Sequence, residues 1–227
     1  MTLGKIGARD MMYRWRNPYV TNGLVAMWDG EWNAGGGVHD ANAAVWKDLV
    51  GGNQISVDGY GNWSDDNGFD FSSRIFLPNY VVQLFKNTVA WTYECAFLDD
   101  GKNGFFGATY QVVNTWRNNN GTMVVTGFFW DNLAVTIIPN AKNSVSVSNT
   151  PSEGLYGMNK VYLNGSYDKQ HDADRASISA GSAFIGGGYY GITGSARAYS
   201  YRFYSRALTA DEIAANYAID KARFNLP

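Results

Sequence analysis

The chain has 227 residues, of which 45% are hydrophobic and 17% are charged, a composition that supports a buried core and excludes a disordered protein. Its formal net charge is −2 and its isoelectric point is near 5.6, so we expect no basic surface for nucleic acid or anionic membranes. No apolar run is long enough to insert across a bilayer.

The first twenty residues are predicted to form an N-terminal arm. They contain four basic residues without a continuous apolar centre, which excludes a secretory signal peptide. They also lack alternation and end near Asn17-Pro18. We therefore divide the chain into an arm, residues 1–20, and one β-sandwich domain, residues 21–227. A loosely ordered terminus and a docking segment both fit the arm, and its Met, Tyr and Trp residues favour docking.

Short apolar or alternating runs separated by turn residues follow the arm, and 26 glycines against five prolines favour tight turns. The residues at 144–148 alternate serine with valine, which is typical of a strand with one exposed face. Asn164-Gly165 is a strong hairpin signal. The predicted strands are 24–28, 74–77, 88–98, 104–110, 122–130, 133–138, 144–148, 160–163, 182–186 and 197–204.

A helix is predicted over residues 209–222. Thr209 and Glu212 have the spacing of a capping box, and Ile213 and Tyr217 fall on one helical face behind it. Many short strands with one late helix indicate an all-β fold, an antiparallel two-sheet jelly-roll sandwich with one C-terminal helix that closes an open end of the sandwich.

Tryptophans and one cysteine supply the predicted core. Trp91, Cys95 and Phe97 have the same parity in one strand, so all three should face inward, and Trp28 and Trp46 are expected to join them. Cys95 is the only cysteine, which excludes an internal disulfide and favours a buried, inert thiol.

Two motifs carry a family resemblance. KVYLNG at 160–165 resembles a hairpin of laminin G-like domains, and YRFYSRALT at 201–209, followed by Glu212, Ile213 and Tyr217, resembles their closing strand and helix. Residues 24–30, 46–49 and 62–71 resemble the opening of a subgroup found in gut bacteria and their phages. The chain thus resembles laminin G-like members of the concanavalin A-like superfamily over about residues 21–222.

The resemblance implies a two-sheet jelly roll and a virion or extracellular location. The superfamily includes sugar binders, adhesion modules and structural spacers, so it does not fix one function.

The sequence lacks a recognisable pair of catalytic carboxylates. Laminarinase-type enzymes with this fold carry an E-x-D-x-x-E strand motif that sets an acid and a nucleophile on one face, and no such motif occurs here. Asp65-Asp66, Asp99-Asp100 and Asp211-Glu212 are adjacent pairs, and neighbours on a strand point to opposite faces. The sequence therefore predicts a protein that is not an enzyme, with a glycoside hydrolase as the lesser alternative.

Aromatic residues in polar, loop-like segments are the best functional signal. Sugar rings stack on aromatic side chains while polar groups bind the hydroxyls. Packing in the core is the alternative for each aromatic residue. The candidate ligand-binding residues are Trp32, Trp116, Arg117, Asn118, Tyr189 and Tyr190.

A weaker signal concerns calcium. Asp65, Asp66 and Asp70 supply the oxygen ligands that Ca²⁺ prefers, although turns favour the same residue types and the spacing is not that of an EF-hand. No other cofactor is expected.

The sequence thus predicts a recognition or adhesion module that binds glycan or a host-cell surface on a phage particle. The alternative is a structural virion or tail-associated protein that docks to other virion subunits through the arm. Neither prediction includes a nucleic-acid partner or membrane insertion, and the oligomeric state stays open.

Overall fold

The computed structural model describes residues 16–85, 89–99, 106–108, 113–117, 123–127, 131–151, 157–172, 180–186 and 196–227. Within these ranges the chain is mostly antiparallel β-sheet with a long helix at its C-terminal end, which confirms the predicted fold class. Among the described helices, none is both long enough and apolar enough to cross a membrane.

The elements follow one another in this order: β1 (Leu24–Asp29), β2 (Val45–Lys47), β3 (Gln54–Ser56), β4 (Gly61–Trp63), β5 (Phe69–Phe71), β6 (Ile75–Phe76), α1 (Asn79–Val82), β7 (Trp91–Leu98), β8 (Phe106–Ala108), β9 (Val113–Arg117), β10 (Met123–Gly127), β11 (Asp131–Val135), β12 (Lys142–Pro151), β13 (Gly157–Leu163), β14 (Ser166–Asp172), β15 (Ala183–Ile185), β16 (Arg197–Tyr204) and α2 (Ala210–Phe224).

Two sheets form the sandwich. In the described part of the chain, the larger sheet has eight strands in the order β14-β13-β12-β7-β16-β5-β4, with β1 also paired to β16. The smaller sheet has six strands in the order β11-β10-β9-β8-β15-β6, and β2 and β3 form a separate hairpin. β16 therefore lies inside the larger sheet, between β7 on one side and β1 and β5 on the other.

The core lies between the two sheets. Trp91, Cys95 and Phe97 are fully buried in one hydrophobic cluster with Trp28 and Trp46, as alternation predicted. Burial raises the pKa of the Cys95 thiol well above its ordinary value, as expected for an inert cysteine.

The capping box is present as predicted. The Glu212 backbone N–H donates to the Thr209 hydroxyl over 3.2 Å, and the Thr209 backbone N–H donates to the Glu212 carboxylate over 2.9 Å. The helix runs slightly further than predicted, to Phe224, and Asn225 caps it with φ 55°.

The position of α2 differs from the prediction. The helix covers the outer face of the larger sheet instead of an open end, because its polar side chains pair with residues in the middle of strands. Asp220 binds Arg202 of β16, and Asn216 donates to Glu94 of β7 over 2.8 Å. The predicted half-exposed strand is consequently buried on both faces, with Ser146 only 3% exposed.

The last residues of the predicted arm pack against this helix. Tyr19 is 4% exposed and its hydroxyl donates to Asp220 over 2.7 Å. The Val20 backbone N–H donates to Asn216 over 2.9 Å. Residues 1–15 lie outside the described residues, and the division of the chain after residue 20 stays a prediction.

Candidate functional site

The two faces of the smaller sheet differ in burial at its edge strand, β6. Ile75, Ile185 and Phe106 pair across three neighbouring strands and are at most 4% exposed, so this row belongs to the core. Successive positions of a strand alternate between faces. The next row, with Phe76, Phe184 and Gly107 in register, therefore points away from this core. Phe76 at its edge is exposed, whereas Phe184 beside it is only 1% exposed.

This outer row crosses the whole described sheet. Gly107 pairs with Asn114 of β9, position 114 pairs with Thr126 of β10, and position 126 pairs with Asn132 of β11. We call positions 76, 184, 107, 114, 126 and 132 the outer row. It combines two aromatic residues, a glycine and three residues that carry amides or a hydroxyl.

Phe76 is the exposed end of the outer row. It is 58% exposed and contacts Phe184 edge-on, with ring centroids 5.9 Å apart. The guanidinium carbon of Arg74 lies 5.6 Å from the Phe76 centroid and 5.2 Å from that of Phe184. An exposed ring beside a guanidinium offers both a stacking surface and hydrogen-bond donors.

Trp116 falls beside the outer row. Position 116 pairs with Val124, which pairs with Ala134, and Ala134 is exposed. Position 116 is two residues from Asn114, so alternation assigns both positions to the outer face. The neighbouring position, Arg117, falls in the row of fully buried Val135.

The structure does not bring all of the predicted ligand residues together. Trp116 and Arg117 belong to opposite rows of β9. Asn118, Tyr189 and Tyr190 lie outside the described residues.

Trp32 is held in the helix layer. Its half-buried indole stacks under Arg223 of α2, whose guanidinium carbon lies 3.4 Å from the ring centroid. The same guanidinium donates to Asp29 and Glu31. Trp32 thus belongs to the layer over the larger sheet and Trp116 to the smaller sheet, so the two do not form one site.

The carboxylates predicted to bind calcium contact cations of the protein. Arg197 binds Asp70 through two hydrogen bonds of 2.8 Å, and Lys142 lies 3.0 Å from Asp66. Asp65 is exposed. A calcium ion would have to compete with both cations. Within the described ranges, no group of three or more His, Cys, Asp or Glu side chains could hold a metal ion. Calcium binding at these residues stays a prediction.

Sequence reasoning missed Phe76 and Arg74. Ile75, Phe76 and Leu77 are three consecutive apolar residues, so no period-2 pattern marks the middle one as outward-facing. A weak signal was available: Pro78 ends the run, and proline favours edge strands, whose residues are less covered.

No protein-family model and no curated protein matches this sequence. Solved structures do match. One is Trypanosoma rangeli sialidase, with a TM-score of 0.64 and 15% identity over 89% of this chain and 33% of that chain. The same sialidase in complex with sialic acid gives the same values. A mutant of the protein HCR/D has a TM-score of 0.53 and 12% identity over 75% of this chain and 50% of that one.

These likenesses show the fold alone. The chain spans about a third of the length of the sialidase chains that it matches. The comparisons support an all-β sandwich fold for this chain. They give no support to the laminin G-like subgroup or to a phage setting.

The prediction that the chain is not an enzyme is contradicted. The solved structures that share its fold include sialidases, which are enzymes. The absent E-x-D-x-x-E motif excludes one arrangement for glycoside hydrolysis on this fold, and it does not exclude catalysis as such.

Proposed function

We propose that the chain binds carbohydrate on the outer face of its smaller sheet. The observation that carries the proposal is the exposed Phe76 ring, with Arg74 beside it, at one end of the outer row. A sugar has apolar C–H faces that stack on aromatic rings and hydroxyls that bind amides and guanidinium groups, and this row supplies both.

The outer row also has a suitable shape. Gly107 stands between the aromatic end and the amide-bearing positions, so the middle of the row lacks a side chain. Phe184 is only 1% exposed, so a sugar would stack on the Phe76 ring at the edge of the sheet and reach polar positions beyond the covered Phe184. The neighbour solved with sialic acid is compatible with carbohydrate binding by this fold.

The setting of this binding rests on the sequence resemblance. We extend the proposal to a glycan on a host-cell surface, recognised from a phage particle or another extracellular surface. Docking of the arm to other virion subunits belongs to the same extension.

Glycan-array binding of Phe76→Ala and Trp116→Ala tests the proposal. Loss of an exposed stacking ring should weaken binding by about 1–3 kcal/mol, by analogy with other stacking contacts. Tyr167→Ala is the matched control, because Tyr167 is 53% exposed on β14 of the larger sheet. Circular dichroism verifies that each variant is folded.

Two results would contradict the proposal. If wild-type protein binds no glycan on the array, the chain is not a carbohydrate-binding protein of this kind. If a glycan binds and Phe76→Ala retains full affinity, the site lies elsewhere. Repeating the array with calcium and with EDTA tests Asp65, Asp66 and Asp70, and loss of binding in EDTA would show that calcium is needed.

A further inference from the structure

We propose a second binding site, the Trp63 cleft, that takes one neutral sugar residue. The cleft is a concavity of about 270 Å³ beside the β2–β3 hairpin, lined by Trp63, Phe69, Asn42, Asp58 and Asn62 among others. Pockets for drug-sized ligands begin at about 300 Å³, so this volume suits a single ring. The proposal is independent of binding at the outer row.

The aromatic floor of the Trp63 cleft is rigid. Trp63 contacts Trp46 and Phe69 edge-on, with centroids 5.1 and 4.9 Å away, and its indole N–H donates to the Ala43 carbonyl over 2.9 Å. The indole is only half buried. Its N–H is used internally, so the ring offers a ligand its apolar surface, already held in position.

The polar rim of the cleft is available for hydrogen bonding. Asn42, Asp58 and Asn62 are exposed, and none of their side chains has a hydrogen-bond partner among the described residues. The adjacent Asp40 differs, because its carboxylate accepts from the Asn42 backbone N–H over 2.9 Å. Amides both donate and accept while a carboxylate accepts, which suits the hydroxyls of a sugar.

The charge of the cleft selects against acidic ligands. Among the described residues that line it, Asp58 is the only charged one, and none is a lysine or an arginine. His39 meets the Trp63 ring edge-on at 6.2 Å but is not part of the lining. A ligand carboxylate would face Asp58 without a cation to pair with, whereas a neutral sugar would use Asp58 as an acceptor.

Tryptophan-labelled NMR tests this site with defined probes. Glucose, galactose, mannose and N-acetylglucosamine are titrated against the full chain, and glucuronic acid and sialic acid serve as acidic counterparts. The Trp63 indole N–H signal, assigned with Trp63→Phe, reports on the cleft. At least one neutral sugar should shift this signal, and the acidic sugars should leave it unchanged at the same concentration.

Variants identify the groups that bind. Asn62→Ala should weaken binding of the neutral sugar by about tenfold. Asp58→Asn should allow acidic sugars to shift the signal, because the repelling charge is gone. Asp168→Asn, an exposed carboxylate on β14, should change neither result. Phe76→Ala should also leave cleft binding intact, which separates this site from the outer row.

The proposal is overturned if no neutral sugar shifts the Trp63 signal, or if an acidic sugar shifts it at lower concentration than any neutral one. It is also overturned if Asn62→Ala, with an otherwise unchanged spectrum, binds as tightly as the wild type.

Discussion

The outer faces of the two sheets differ in whether another part of the protein covers them. On the larger sheet, Arg202 and Glu94 point outward and are nonetheless fully buried, because α2 covers them. On the smaller sheet, Phe76 and Ala134 are exposed. Polar side chains on the outer face of the larger sheet thus bind one another, while the Phe76 ring at the edge of the smaller sheet is presented to solvent. The comparison shows that the outward face of a strand indicates function only where nothing covers it.

The buried charges fix the helix over the larger sheet. Arg202 donates to Glu94 over 2.8 Å and to Asp220 over 2.9 Å. Burial opposes the charge of Arg202, but the carboxylates of Asp220 and Glu94 raise its pKa well above the ordinary value. Such a network adds little net stability relative to apolar packing, but a shift of the helix would leave a buried charge unpaired.

Arg202→Met should produce the largest effect. Removing the cation leaves the buried carboxylates of Glu94 and Asp220 without a positive charge beside them, so the free energy of unfolding should fall by about 3–5 kcal/mol. Urea denaturation measures the loss. Arg206→Met is the control, because the Arg206–Glu212 pair is partly exposed and should cost about 1 kcal/mol or less. Equal losses would mean that the covered face is not energetically distinct.

Tyr19→Phe should have the next largest effect. Its hydroxyl donates to Asp220 over 2.7 Å and accepts from Arg223 over 2.6 Å. Losing hydrogen bonds to charged groups should lower the free energy of unfolding by about 1.5–3 kcal/mol. Tyr60→Phe, at a 38% exposed position, is the control in the same denaturation experiment. An unchanged stability would support a domain that begins after residue 20.

Phe76→Ala should cost about 1 kcal/mol or less, because the ring is 58% exposed. The adjacent Ile75→Ala should cost about 2–5 kcal/mol, because Ile75 is 4% exposed and belongs to the core. Thermal melts of this neighbouring pair compare the two faces of one strand. Similar losses at both positions would show that the outer face is packed rather than open.

The smallest expected effect is a loss of stability at acidic pH. Hydrogen bonds from Arg206, opposed by burial and supported by the Thr209 backbone, lower the pKa of Glu212 from 4.5 to about 2. Because the folded pKa is depressed, the stabilisation is present above pH 4.5 and is lost as pH falls toward 2. For a partly exposed pair this amounts to about 0.5 kcal/mol.

Glu212→Gln should therefore flatten the loss of stability between pH 4.5 and 2, measured by urea midpoints. Asp211→Asn, an exposed first-turn neighbour, should leave the slope closer to that of the wild type. An identical slope in wild type and Glu212→Gln would refute the assigned pKa.

Features set by near neighbours could be predicted from the sequence. The capping box depends on two residues three positions apart, and the Asn164-Gly165 turn depends on two adjacent residues that adopt φ 48° and 75°. The core positions of β7 follow from alternation within one strand. In each case the residues that determine the local structure lie close together in the sequence.

Features set by distant residues could not be predicted. The place of α2 depends on Glu94, Arg202 and Asp220, which only the folded chain brings together. The serines of β12 alternate with valines as if exposed, yet Ser146 donates to Glu94 beneath the helix. Alternation shows that a strand has two kinds of face, and it does not show whether the polar face meets water.

The candidate sites follow the same rule. The outer row becomes visible only through the register of six strands. The sequence indicated Trp116, Arg117 and Asn118, but not the residues of other strands that pair beside Trp116. The segment of Tyr60 and Trp63 contains the residue types of a sugar site, but the cleft also requires Asn42 and Asp58, which flank the β2–β3 hairpin.

The central place of β16 has a consequence for synthesis on the ribosome. β7, β12, β13 and β14 can pair with one another as they emerge, but β1, β5 and the free side of β7 must wait for β16, the last described strand to be made. Until then these strands keep unpaired edges, which invite pairing with other chains. Forming contacts between residues so far apart in the sequence is also slow. Refolding yield should therefore fall with protein concentration, and β1, β5 and β16 should gain protection from hydrogen exchange later than β12, β13 and β14.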